Sequence, residues 1–100
     1  MYDDAARRKF LIDTGARVSA LPATDADRQA GCRGPELQAA NKSSIKTFGT
    51  RIVPVSFYGH NYRGNFYIAD VAQAIIGADF LEEHQLLVDV HGQRIIDKQR

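Results

Sequence analysis

A chain of 100 residues, 44% of them hydrophobic and 25% charged, has the length and apolar content of one globular domain spanning residues 1–100. Thirteen Lys and Arg stand against twelve Asp and Glu, so the net charge of +1 gives no long-range field toward nucleic acid or an anionic membrane. The single Cys32 excludes an internal disulfide, no run approaches ~18 uninterrupted apolar residues, and the acidic start Met1-Tyr2-Asp3-Asp4 is unlike a signal peptide, so an intracellular setting is expected.

Along the chain the pattern is mostly that of strands. Lys9-Phe10-Leu11-Ile12-Asp13 is almost continuously apolar and stops at Thr14-Gly15, which predicts a buried strand ending in a turn. Residues 18–21 resume the apolar pattern until Pro22 breaks it, and residues 23–35, rich in Thr, Asp, Arg, Gly and Pro, read as a surface loop with room for one helical turn. Residues 37–40 and 45–48 form apolar or alternating arms around Asn41-Lys42-Ser43-Ser44, a hairpin signature. The longest pair follows: residues 51–58 alternate, a turn falls at Gly59-His60-Asn61, and the chain returns through Tyr62, Phe66, Tyr67 and Ile68. Pro54 cannot donate to a ladder, which puts its arm at a sheet edge or a bulge.

Ala74-Ile75-Ile76-Gly77 is another brief buried run, and residues 78–84 predict a short helix with Asp79 near its positive end. Residues 86–90, a turn at His91-Gly92-Gln93, and residues 94–97 close the chain as a hairpin. The sum is all-β with one short helix. A faint echo links the apolar runs before Gly15 and Gly77, too weak to be a repeat.

Several chemistries have no residues to run on. There is no Gly-rich phosphate loop ending in Lys-Ser or Lys-Thr, no Gly-x-Ser-x-Gly elbow and no His-Glu-x-x-His pair. His60, His84 and His91 have no metal-ligand spacing and read as surface residues, and Cys32 has no assignable base. Arg7-Arg8-Lys9 reads as a solvated edge beside the first strand. Neither a metal nor any other cofactor is expected.

What remains is Asp13-Thr14-Gly15. A carboxylate at the end of an apolar strand is costly to desolvate, and a following Thr-Gly supplies a hydroxyl and a tightly turning backbone whose N–H groups can hold it. By itself the tripeptide is also a common turn sequence, with Asp accepting from the backbone two residues on.

In its wider setting the sequence resembles the retropepsin aspartic proteases, those of gypsy-type LTR retrotransposons in particular. The residues that carry the resemblance are Phe10-Leu11-Ile12-Asp13-Thr14-Gly15-Ala16 with Val18-Ser19 and Leu21-Pro22, then Ala39-Ala40-Asn41 with Ile45, Thr47, Phe48 and Gly49, then Ala69-Asp70-Val71, Ile75-Ile76-Gly77-Ala78-Asp79-Phe80-Leu81 and Leu86-Leu87-Val88-Asp89. The resemblance implies a closed, barrel-like β monomer with a flap hairpin and one short C-terminal helix, paired as a homodimer. It implies catalysis by Asp13, braced by Thr14 and Gly15. It also implies contact with an extended peptide or polyprotein substrate through Leu11, Ala16, Ile75 and the flap residues Ala40, Asn41, Lys42, Ser43 and Ile45.

Physical reasoning fits that implication. Aspartic protease chemistry needs two carboxylates sharing one proton, and one Asp-Thr-Gly in 100 residues leaves the second to another chain on a two-fold axis. Such a pair titrates as a unit, which predicts activity peaking at mildly acidic pH. Three features depart from the family pattern. Arg17 has no acceptor for the substrate N–H groups that an acid receives there in many relatives, Lys42 stands where flaps often have Gly, and the polar residues 97–100 predict a weak terminal interface. The competing readings are a decayed or domesticated copy acting as a dimerising or peptide-binding module, the similar domain of DNA-damage-inducible shuttle proteins, and a nucleic-acid-binding β domain resting on Arg7-Arg8-Lys9.

Overall fold

The computed structural model describes residues 2–3, 8–39, 42–57, 59–89 and 94–97, with side chains for 8–39, 42–57 and 59–87. Among the described residues ten strands and two short helices follow in chain order: β1 Tyr2–Asp3, β2 Arg8–Ile12, β3 Ala20–Pro22, α1 Asp25–Ala30, β4 Leu37–Gln38, β5 Ser44–Ile45, β6 Thr47–Phe57, β7 His60–Ala69, β8 Ala74–Ile76, α2 Ala78–Glu83, β9 Leu86–Asp89 and β10 Arg94–Asp97. Six strands form one sheet in the order β1-β2-β8-β3-β7-β6. Its two end strands, β1 and β6, approach each other, so the sheet curls toward a barrel.

The two apolar runs that echo each other in sequence lie side by side. β2 and β8 pair in parallel, Phe10 opposite Ala74, Leu11 opposite Ile75 and Ile12 opposite Ile76. Phe10, Ile12, Ala74 and Ile76 are buried while Leu11 is 42% exposed, which gives the pair one core face and one outer face. On the core face Phe10, Phe57, Phe66 and Phe80 pack edge-on or tilted with ring centroids 5.8–6.3 Å apart. Gly64 makes room for them, since a Cβ there would lie 2.7 Å from the Phe66 and Phe80 rings.

Several expectations are displaced. Pro22 ends β3 instead of breaking the chain before it. It pairs with Ala69, and the next donor, Ala23 N–H, continues to Ala69 O at 3.0 Å, so the missing Pro N–H falls where it does little harm. The 23–35 loop does hold the short helical segment it had room for, α1, which adds a second helix to the one expected; it is set by a capping box in which the Thr24 hydroxyl accepts from Asp27 N–H while the Asp27 carboxylate accepts from Thr24 N–H. β6 begins at Thr47 rather than residue 51, with a register shift between Thr47 and Thr50, and its turn lies before His60, which already pairs with Phe57. Pro54 does sit on an edge strand. β1, which pairs with β2, has no clear signal in the sequence.

Arg8 and Lys9 belong to β2 itself, and Arg7 lies outside the described residues. His84 is half-buried rather than a free surface group. Its ring packs 4.6 Å from Phe80 and 5.1 Å from Tyr62, with Nε2 2.9 Å from Arg63 O. His91 and the turn at 90–93 lie outside the described residues, while β9 and β10 pair as the expected hairpin, Asp89 opposite Arg94.

Candidate functional site

Asp13 follows directly on β2. Its N–H donates to Ile76 O at 2.9 Å, which extends the β2–β8 ladder one step and fixes where the residue stands. The chain then turns: Ala16 N–H donates to Asp13 O at 3.1 Å, and Gly15 N–H donates to the Asp13 Oδ1 atom at 3.0 Å. The carboxylate is half-buried and tied to its own turn, with Thr14 and Gly15 exposed beside it. Local turn chemistry and a held carboxylate are here the same geometry.

Residues 16–19 are locked to the start of α2. Ala78 N–H donates to Ala16 O at 2.8 Å and Asp79 N–H to Arg17 O at 3.2 Å. Ser19, 1% exposed, donates its hydroxyl to Asp79 Oδ1 at 2.7 Å and accepts from Gly77 N–H at 2.8 Å. Asp79 Oδ1 also accepts from Phe80 N–H at 2.6 Å. Gly77 is needed for this approach because a Cβ there would stand 2.5 Å from Val18 O. Five hydrogen bonds from 76–79 to 13–19 thus hold the Asp13 turn against a helix whose Phe80 and Leu81 are buried in the core.

The sequence marks Asp79 for the helix dipole and within a resemblance, and Ser19 only within a resemblance; neither marks the bond between them. The available signals were a hydroxyl inside the apolar run Val18-Ser19-Ala20-Leu21 and a Gly between Ile76 and the helix.

Among the other expected site residues, Leu11 and Ile75 are register partners on the outer face of β2–β8, 42% exposed and half-buried respectively. They give an apolar surface beside Asp13, and Ala16 is half-buried in the same turn. The hairpin is present but short. Leu37 pairs with Ile45 and Gln38 with Ser44, and its end is closed by Ala39 N–H to Ser43 O and Lys42 N–H to Ala39 O, both 2.9 Å. Ala40 and Asn41 lie outside the described residues. Lys42 and Ser43 are exposed and Ile45 is half-buried. Lys42 has a φ of 68°, the left-handed region that favours glycine. At the hairpin's base, buried Thr47 donates its hydroxyl to Pro35 O at 2.6 Å, and Arg33 N–H donates to Thr47 O at 2.9 Å.

In three dimensions the chain matches the retroviral protease-like domain of Ddi1 from Leishmania major over 93% of its length and 80% of that chain, with a TM-score of 0.65 and 24% identity. The fold is that of a retroviral protease-like domain. The EIAV protease, solved in complex with the inhibitor HBY-793, matches 89% of this chain over 81% of its own, with a TM-score of 0.55 and 22% identity. No protein-family model and no curated protein matches the sequence. Within this retropepsin-like fold no group of three His, Cys, Asp or Glu among the described residues could hold a metal ion, and no described helix is long and apolar enough to cross a membrane.

Proposed function

We propose that the chain is an aspartic endopeptidase whose active site is completed by Asp13 of a second copy. The observation that supports this most is the placement of Asp13 at the end of a parallel strand pair with one face in the core, in a turn locked to α2, within a retropepsin-like fold. A single Asp-Thr-Gly supplies half of a two-carboxylate mechanism, and a two-fold axis beside Asp13 supplies the other half.

In such a pair one carboxylate takes a proton from water while the other, protonated, hydrogen-bonds the scissile carbonyl. Hydroxide adds to the carbonyl carbon to give a tetrahedral intermediate. Proton transfer to the amide nitrogen then allows the C–N bond to break, and the pair returns to one shared proton. Thr14 and Gly15 brace the turn, while Leu11 and Ile75 offer apolar contact to substrate side chains. An extended peptide lies between the site and the 37–45 hairpin, pairing with it as an added strand. Of the hairpin's described residues, Lys42, Ser43 and Ile45 form the covering side; the same role for Ala40 and Asn41 rests on the resemblance. The retrotransposon setting, with polyprotein as substrate and an intracellular location, rests on the resemblance of Ala39-Ala40-Asn41 and of 77–81 to gypsy-type sequences.

A second reading is a peptide-binding module without catalysis, favoured by Arg17, whose side chain has no acceptor for substrate N–H groups. The test is cleavage of a pool of unstructured peptides at high protein concentration between about pH 4 and 7, the range that brackets a carboxylate pair. Cleavage by the wild type and none by Asp13→Asn supports the endopeptidase. Binding without cleavage by either selects the module.

A further inference from the structure

Arg17 lies one residue beyond the turn that holds Asp13. The Asp13–Ala16 hydrogen bond keeps the Cα atoms of those residues within about 7 Å, so the Arg17 Cα lies within about 11 Å of that of Asp13. Its main chain is fixed, since Arg17 O accepts from Asp79 N–H at 3.2 Å. Its side chain is exposed, and among the described residues it makes no ion pair: the pairs present are Arg28 with Asp70 and Arg51 with Asp27. The Asp79 carboxylate is turned instead toward the Ser19 hydroxyl and Phe80 N–H. Glu82 and Glu83, on the following turns of α2, are exposed and not paired with it.

The two chain segments named for the proposed cleft carry a single acid between them. Residues 13–19 contain Asp13 and Arg17 as their charged groups, and residues 37–46 contain Lys42 and Lys46 with no acid. Both lysines are exposed. A substrate in extended form advances about 3.3 Å per residue, so side chains two to four residues from the scissile bond lie about 7–13 Å from it, within reach of a guanidinium rooted at Arg17. A guanidinium offers five donors in a fork that matches a carboxylate.

We infer that this cleft selects peptides carrying Glu or Asp two to four residues from the scissile bond, with Arg17 as the residue that receives the carboxylate and Lys42 as a secondary cation at the hairpin tip. The inference rests on the peptide-cleaving or peptide-binding reading above and names its substrate class. An exposed pair of this kind is expected to give a preference of about three- to five-fold at low ionic strength, weakening as salt is added.

The test uses matched peptides, cut from one parent sequence, that differ only by Glu or Gln at each of those positions. The wild type is expected to show a higher kcat/KM for the Glu peptides. In Arg17→Gln the Glu-to-Gln ratio falls to about one, and in Arg17→Glu it inverts. Equal ratios in the wild type, or an unaltered ratio in Arg17→Gln, overturn the inference while leaving proteolysis in place. Where no peptide is cleaved at all, fluorescence anisotropy of the same labelled pairs reads binding. A Glu preference that Arg17→Gln removes supports the inference on a non-catalytic protein, and its absence rejects it.

Discussion

Ser19 donates its buried hydroxyl to Asp79 Oδ1 at 2.7 Å across 60 residues of sequence, and its own Oγ accepts from Gly77 N–H at 2.8 Å. One side chain thereby ties the strand after the Asp13 turn to both the end of β8 and the start of α2. Ser19→Ala leaves a buried N–H and a carboxylate oxygen each short of a partner, an expected loss of about 1–3 kcal/mol. In a domain of this size each kcal/mol lowers Tm by about 4–8 °C, which thermal denaturation reads directly. An unchanged Tm would mean that the lock carries no load.

Two glycines are predicted to be intolerant for reasons of space. At Gly77 an added Cβ meets Val18 O at 2.5 Å, and at Gly64 it meets two aromatic rings at 2.7 Å. Gly77→Ala and Gly64→Ala should each cost about 1–3 kcal/mol as overpacking, measured by urea unfolding. The two differ in kind, because rings can shift and a backbone carbonyl held in a hydrogen-bonded loop cannot. Gly77→Ala should therefore be the more damaging.

Lys42, at φ 68°, bears the steric cost of a left-handed conformation, about 1–2 kcal/mol for a residue with a Cβ. Lys42→Gly removes that cost and adds chain entropy to the unfolded state, so a net gain below about 1 kcal/mol is expected. Lys42→Val, β-branched, should destabilise the hairpin instead. Amide exchange of residues 42–45 distinguishes the two.

Helix α1 buries none of its residues and is held by polar contacts. The Asp27 carboxyl is held below its ordinary value, first by Thr24 N–H, then by the Thr24 hydroxyl and by Arg51, whose Nη2 lies 3.0 Å from Asp27 Oδ1. Because the folded value is depressed, this contribution is complete above the unfolded value and is lost as pH falls through the folded one. Amide shifts of residues 24–30 should therefore hold steady above about pH 4 and move below it, and Asp27→Asn should abolish that transition. A transition that persists in Asp27→Asn assigns it to another group.

Much of this arrangement is legible in the sequence because it is local. Phe10-Leu11-Ile12 stopping at Asp13-Thr14-Gly15 marks a strand and its turn, and Pro54 marks an edge. Helix α2 announces itself by helix formers after Gly77. What escapes depends on distant partners or on a competing signal. Pro22 reads as a breaker until Ala69 is seen beside it, and β6 hides its first residues because Gly49 interrupts the alternation. α1 was legible in principle, since Thr24 and Asp27 have capping-box spacing, but Asp in place of Glu and a Gly- and Pro-rich flank obscure it. Ser19 is uninformative alone, because its role exists only when Gly77 and Asp79 arrive from the far end of the chain.

The most direct test of the central claim, a site shared by two chains through Asp13, is mixing. A fixed amount of wild type is titrated with Asp13→Asn under conditions where subunits exchange, and peptide cleavage is followed. If each site needs Asp13 from both copies, random pairing lowers activity to about half at equal amounts and to about one-tenth at nine-fold excess. Activity that stays constant while inactive chains are added would contradict the account, since each chain would then be working alone.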